Sequence, residues 1–258
     1  MHALQVLLGS FFRSMNSNII VGKSGTNIDA QLANGIGARI WSFNETYENA
    51  QLKSDTVKTI SGGGIITVKA RGQSIEYSPH QTCIVTTNHL PRIETVNEAL
   101  KERLICIEFP VTFKDLLAGE EETRFFRRRD TGLKSWFEVA ENKSAFLKYL
   151  VDGAVEYHRR CGGEFGGLKS CAPKAVLDFT EKYLYDHDLI QQFLDAKCDI
   201  GTEYKESATV MRTSYERFSG MKISYNDLKR LLEGKGYLSR HNCAPGGLNG
   251  YTGLRLKR

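Results

Sequence analysis

The sequence has little that would mark it for a membrane, an oxidising compartment or a metal. No run reaches the ~18 apolar residues that a membrane-spanning helix needs. The first residues carry neither the basic region nor the small-residue cleavage site of a secretory leader. The six cysteines, Cys83, Cys106, Cys161, Cys171, Cys198 and Cys243, contain no CxxC pair and no histidine partner at zinc-finger spacing. No metal site is therefore expected, and the thiols are expected to be reduced, as in a cytoplasmic protein. Cys83 (in CIVTT) and Cys106 (in LICIEF) lie in apolar runs, where cysteine behaves as a small hydrophobe. Proline is scarce, 5 residues against 24 glycines, so regular elements joined by glycine turns are predicted. Neither sign of charge dominates. Lys plus Arg is 35 and Asp plus Glu is 30, a net +5, which is compatible with nucleic acid but does not demand it. There is no internal repeat and no low-complexity tract.

What is present is ordinary globular material, 41% hydrophobic and 25% charged in 258 residues, enough for about two domains at roughly 100–200 residues each. Residues 3–13 (ALQVLLGSFFR) read as an apolar helix. Residues 28–37 read as helical or irregular, RIWSFN (39–44) as a strand, and 46–59 as a polar helix broken by Gly62-Gly63-Gly64. IITVKA and SIEYS alternate across Arg71-Gly72-Gln73, a hairpin signal. TCIVTT (82–87) and LICIEF (104–109) are apolar, β-branched runs of the kind buried on both faces of a parallel sheet. Residues 111–160 read as helical and charged, with Arg127-Arg128-Arg129 in a loop, followed by a glycine-rich break at 162–167. A helical stretch from Pro173 to about Ala196 and helices over 203–218 and 224–234 come next, with Ser224 as the N-cap of the last and Gly234 and Gly236 at its end. YLSR and YTGLRLK then flank the loop CAPGGLNG. Helix, helix and two strands with a loop between them is a winged helix-turn-helix pattern.

Four features in fixed order suggest nucleotide chemistry. An apolar strand ends in an acid (RIWSFNE, Glu45), where α/β sheets bind ligands and a carboxylate can orient and deprotonate a water. A glycine-rich basic hairpin follows, from Lys58 through Lys69 and Arg71. A second strand ends at Asn88, placed to hydrogen-bond that water or a γ-phosphate. Arg103 precedes the next strand, where it can neutralise charge in phosphoryl transfer.

In this order and spacing, residues 36–113 resemble the superfamily 3 helicases, in the branch of poxvirus-type and satellite-phage-type primase–helicases. ARIWSFNE matches the Walker B strand of that family, VKTISGGGIITVKAR the lysine and hairpin, CIVTTNHLP the strand ending in Asn and Pro, and KERLICIEFP the arginine before a strand ending in Phe-Pro. LKYLVDGAVEYHRR and PKAVLDFTEKYLYDHDLIQQFL resemble the segments that follow.

The resemblance implies an α/β fold: a RecA/AAA+-like ATPase core over 1–115, a helical segment over 116–200 and a winged helix over 201–258. It implies ATP and Mg²⁺, a homo-oligomeric ring on single- or double-stranded DNA, contacts with other replication proteins, and no membrane. It assigns catalytic roles to Glu45, Asn88 and Arg103 and nucleotide contacts to Asn44, Glu45 and Asn88. DNA contacts fall to Lys69 and Arg71 at the hairpin tip with Lys58 in support. In the winged helix they fall to Lys229, Arg230 and Arg240.

Three positions depart from the family. Gly22-Lys23-Ser24 is a poor phosphate loop, because Ser17 stands where the template needs Gly and Ile19-Ile20-Val21 fill the open turn. HALQVLLGSFF resembles the helix after that loop, so the chain is expected to begin just downstream of it. Asn44 replaces a common Asp, and Gly64 a common acid. A second reading is a non-enzymatic DNA-binding or ring-interacting module. Residues 222–258 carry eight basic and two acidic residues, a net +6, which favours a DNA role for this end.

Overall fold

In the computed structural model the described residues are 1–22, 28–70, 72–117, 119–161 and 167–257. Lys23 and Ser24 of the weak loop candidate, Arg71 of the hairpin and most of the glycine-rich break lie outside them. The chain divides into two compact units, Met1–Glu181 and Lys182–Arg258.

The first unit is mixed α/β. Helix α1 (His2–Leu8) leads into β1 (Phe12–Met15), followed by α2 (Asn18–Val21), α3 (Ile28–Gly35), β2 (Ile40–Asn44), β3 (Gln51–Leu52) and α4 (Ser54–Ser61). Next come β4 (Ile66–Ala70), β5 (Gln73–Tyr77), β6 (Thr82–Thr86), β7 (Arg92–Ile93), α5 (Glu98–Arg103), β8 (Thr112–Lys114) and β9 (Phe126–Arg128). The unit continues through α6 (Leu133–Trp136), α7 (Ala140–Cys161) and α8 (Leu168–Cys171), and α9 (Lys174–Asp186) runs across the boundary.

Strands β1, β2 and β6 form a parallel sheet in that order. Phe12 pairs with Ile40 and Asn44 with Thr86, so the carboxyl ends of all three strands lie along one edge. β2 is central, and its Trp41, Ser42 and Phe43 are fully buried. Trp41 and Phe43 pack with Ile19, Ile20 and Val21 of α2, Ile60 of α4 and Val68 of β4. A strand covered on both faces has no solvent side, which is why IWSF reads as a continuous run rather than an alternation.

Several expected elements change. The first helix stops at Leu8, with Gly9 at φ +52° as its C-cap, and Phe12–Met15 leaves it to pair with β2. The polar segment 46–59 becomes helical only from Ser54. LICIEF is not a strand. The Cys106 N–H donates 2.8 Å to Thr180 Oγ1 of α9, so a side-chain hydroxyl takes a backbone partner that a neighbouring strand would supply. Ile107 and Phe109 are 61% and 86% exposed. Residues 111–160 are not uniformly helical. β8 and β9 pair in parallel, which puts Arg127 and Arg128 in a strand, and the long helix starts at Ala140.

The second unit holds α10 (Leu189–Lys197), β10 (Cys198–Ser207), α11 (Ala208–Ser219), α12 (Tyr225–Glu233), β11 (Ser239–Ala244) and β12 (Leu248–Leu256). The helix expected from Pro173 breaks at His187-Asp188, where Asp188 caps α10 by accepting from the Gln191 N–H. The helix expected over 203–218 starts only at Ala208. Residues 198–207 pair antiparallel with β12 instead, Cys198 opposite Leu256 and Ser207 opposite Gly250. The sheet order is β10-β12-β11, over a core that includes Phe193, Met211, Leu228, Leu232, Tyr251 and Leu254. Gly250 is a close approach: a Cβ there would sit 2.2 Å from the Glu206 carbonyl oxygen. Ser224 Oγ accepts from the Asp227 N–H at 3.1 Å, as expected of the N-cap. No helix of the described residues is long and apolar enough to cross a membrane.

Candidate functional site

The carboxyl edge of the parallel sheet gathers the residues singled out on β2 and β6. Asn44 ends β2, and its Oδ1 accepts from Ser42 Oγ at 3.0 Å and Thr86 Oγ1 at 2.9 Å. Its Nδ2 donates to Ser14 Oγ on β1 at 3.4 Å. One amide therefore ties the three strand ends together. Glu45 follows with φ +54°, a left-handed conformation for a residue with a side chain. That conformation costs about 1–2 kcal/mol and tends to collect at functional sites. Two bonds hold it: the Glu45 N–H donates to the Thr86 carbonyl at 2.8 Å, and Ser17 Oγ donates to the Glu45 carbonyl at 3.2 Å. The turn leaves the Glu45 carboxylate exposed at the strand end. Thr46 and Thr87 hydroxyls meet at 2.7 Å and both reach the His89 carbonyl, which fixes the loop carrying the exposed Asn88.

The hydroxyl set of Ser14, Ser42, Thr46, Thr86 and Thr87 was not anticipated from sequence. Its only trace there is the density of Ser and Thr at the ends of WSFNET and VTTN.

Mg²⁺ bound to a nucleotide keeps waters and takes one or two carboxylates. Glu45 would supply one here, whereas Asn44 is neutral and its oxygen is already committed. No group of three or more His, Cys, Asp or Glu side chains among the described residues could cage a metal. The edge thus presents one exposed carboxylate beside a hydrogen-bonded loop, chemistry suited to orienting and deprotonating a water.

Arg103 is the last residue of α5. Its Nη1 donates to the Ala99 carbonyl at 2.8 Å, and its Nη2 lies 4.0 Å from where a Cβ on Gly62 would stand, beside the end of α4. Lys58 is on α4 rather than on the hairpin, paired with Asp55 at 2.5 Å. The hairpin itself forms as expected: Lys69 faces Ser74, Ala70 faces Gln73, and Gly72 takes φ +78° in the two-residue turn. Val68 roots it in the core at 1% exposure, while Lys69 is exposed and its N–H donates to Asp29 Oδ2 at 3.3 Å.

In the second unit, Lys229 and Arg230 are exposed on α12, each beside an acid of the same helix, Glu233 at 3.8 Å and Asp227 at 2.5 Å. Arg240 is exposed on β11 opposite Gly250. Arg212 of α11 stacks 4.1 Å over the Tyr225 ring, and Thr209 and Tyr225 hydroxyls lie 3.1 Å apart, so the two helices are locked at the start of α12. Asp188, 4% exposed, and Lys235, 11% exposed, form a buried ion pair at 2.5 Å.

The cysteines depart from expectation at one pair. Cys161 and Cys171 are disulfide-bonded, ends of two helices that sequence spacing did not mark as adjacent. Burial pushes the thiols of Cys83, Cys106 and Cys198 up to about 11. These three are expected to react with iodoacetamide at pH 8 at least about tenfold more slowly than in the unfolded chain, where the thiol pKa is ~8.5. Peptide mapping of labelling rates checks this, and equal rates would refute it.

No family model matches the chain. It is distantly similar to two viral proteins. One is described as a "Putative helicase" of Acanthamoeba polyphaga mimivirus, 24% identical over 206 residues that cover 75% of this chain and 20% of that protein. The other is described as a "Putative helicase" of the Sputnik virophage, 26% identical over 167 residues that cover 60% of this chain and 20% of that protein. The chain spans about a fifth of the length of these curated relatives.

Proposed function

We propose that the chain is part of an ATP-driven DNA-unwinding motor of the superfamily 3 kind. Residues 1–115 contribute to a RecA/AAA+-like ATPase core, 116–200 form a helical connection, and 201–258 form the main part of a winged helix. The observation that carries this reading is Glu45. It is an exposed carboxylate held in a left-handed turn at the end of the central parallel strand, beside the strand end that leads to Asn88. In this reading Glu45 orients and deprotonates the attacking water, Asn88 hydrogen-bonds that water or the γ-phosphate, and Arg103 offsets charge during phosphoryl transfer. Hydrolysis also requires a phosphate-binding loop and Mg²⁺, which the described residues do not supply. The order helix–strand–helix–helix–strand–strand in the second unit supports a winged helix, with α12 presenting Lys229 and Arg230 and β11 presenting Arg240 to DNA. The similarity to viral proteins described as helicases supports nucleic acid as the partner.

The net +6 of residues 222–258 favours a second reading, DNA binding without catalysis. ATP turnover by the chain, measured with and without single-stranded DNA, separates the two. DNA-stimulated turnover supports the motor, whereas DNA binding with no nucleotide binding supports the binding module. Lys69→Ala tests the hairpin. It is expected to weaken single-stranded DNA binding several-fold and to flatten the dependence of log K on log salt by about 0.7, the loss of one phosphate contact. Unchanged affinity at matched salt would remove the hairpin from the interface.

A further inference from the structure

We propose that Cys161 and Cys171 are a thiol-oxidation site, closed by a low-molecular-weight disulfide of the glutathione class. Closure fixes α8 and, through it, the end of α5 that carries Arg103. The pair joins the last residue of α7 to the last residue of α8, ten positions apart in sequence. Both residues are half-buried.

The link from α8 to α5 is direct. Lys169, in the middle of α8, donates from Nζ to the Lys101 carbonyl in the last turn of α5. That turn has orphan carbonyls that accept cationic side chains. Just beyond it, the Cys106 N–H is held by Thr180 Oγ1 at 2.8 Å. The exit of α5 is thus clamped twice, and one of the two clamps hangs on the helix that the disulfide ties down. Arg103 stands between them.

Opening the bond leaves the Cys171 thiol with partners. Cys171 Sγ lies 3.4 Å from the Gly167 carbonyl oxygen and 3.6 Å from that of Leu168, so the reduced thiol finds acceptors within its own helix. The Cys171 thiol is therefore satisfied in the reduced form, which loses the restraint on α8.

The exchange balances without a further reactant. One cysteine thiolate attacks oxidised glutathione and expels a glutathione thiolate, forming a mixed disulfide. The second cysteine thiolate attacks the protein sulfur of that mixed disulfide and expels the second glutathione thiolate. Two protein thiols lose two electrons, one disulfide gains them, and the two thiol protons pass to the expelled glutathione. Reduced glutathione drives the reverse. The site stands apart from any assignment of nucleotide chemistry, because it concerns only these two sulfurs and the order of α5.

The test uses the full chain, equilibrated with either oxidised glutathione or dithiothreitol. After acid quench, denaturation and alkylation, the oxidised chain is expected to take up label at the four cysteines outside the pair, and the reduced chain at all six. Hydrogen exchange of residues 98–103 is expected to quicken about tenfold on reduction, as a local opening loses its restraint. Exchange in β2 and α12 stays constant. The double substitution Cys161→Ser with Cys171→Ser should give the fast α5 rates under both conditions. If that variant does not fold, the two redox forms of the unaltered chain still decide the matter. Six labelled cysteines after oxidised glutathione would overturn the site, and equal α5 exchange in the two forms would overturn the coupling.

Discussion

Asp188→Ala is expected to cost the second unit about 3–5 kcal/mol, most of the stability of a domain of its size. Asp188 has two duties. Its carboxylate accepts from the Gln191 N–H at 3.2 Å as the N-cap of α10, a contact worth about 1 kcal/mol. Its other oxygen meets Lys235 Nζ at 2.5 Å, with both side chains almost wholly withdrawn from water. Truncating the acid leaves the ammonium buried without a counter-charge, and that dominates the cost. Lys235 lies just past the end of α12, so the pair ties the start of α10 to the exit of α12. Removing both charges together, with Asp188→Asn and Lys235→Met, should recover much of the loss, because the penalty comes from isolation rather than from absence of the pair. Denaturant midpoints of the two single variants and the double variant, compared as a cycle, check this. A loss below about 1 kcal/mol for Asp188→Ala would reduce the pair to the worth of a surface bridge.

In a protein that also carries the phosphate-binding loop, Glu45→Gln is expected to lower DNA-stimulated ATP turnover about 10²–10⁴-fold, the usual worth of a general base, with nucleotide binding retained. The fold should be unaffected within about 0.5 kcal/mol, since the carboxylate is exposed and the backbone bonds to Thr86 and Ser17 do not involve it. Glu45→Gly separates chemistry from conformation. At φ +54° glycine removes a left-handed cost of about 1–2 kcal/mol and adds a chain-entropy cost of roughly 0.5–1 kcal/mol. That variant should therefore be as stable as the parent or slightly more so, and inactive. Turnover and thermal midpoint measured on the same samples distinguish the outcomes. Retained turnover in Glu45→Gln would remove Glu45 as the base, and a clear drop in the midpoint of Glu45→Gly would show that its side chain is structural.

Much of the sheet was legible because its chemistry is local. IWSFN is a continuous apolar run, and a residue with water on neither side needs no polar alternation. TCIVT forms the expected strand but is not buried on both faces: it lies at the edge of the described sheet, with Thr82, Val85 and Thr86 exposed. The β4–β5 hairpin was readable because two alternating runs flank Gly72, which takes the φ of +78° that a tight turn needs. Ser224 was readable because an N-cap acts over three positions. LICIEF, equally apolar, misled for the same reason. Its composition says only that it favours an extended backbone, and Thr180, seventy-four positions away, takes the Cys106 N–H that a strand would have paired. β10 misled in the other direction, since its partner β12 lies some fifty residues on.

By itself the sequence determined two of the parallel strands, the hairpin, the capped α12 and the acid at the end of RIWSFNE. Each is a matter of side-chain pattern or turn chemistry within a few residues. Only the tertiary structure decided that Glu45 is held left-handed by Thr86 and Ser17, and that Asn44 is consumed in tying three strand ends. The same holds for the buried meeting of Asp188 with Lys235 and the joining of Cys161 to Cys171. Those outcomes depend on which distant groups arrive within bonding distance. Hydrogen bonds and ion pairs act over a few ångströms of space, without regard to separation along the chain.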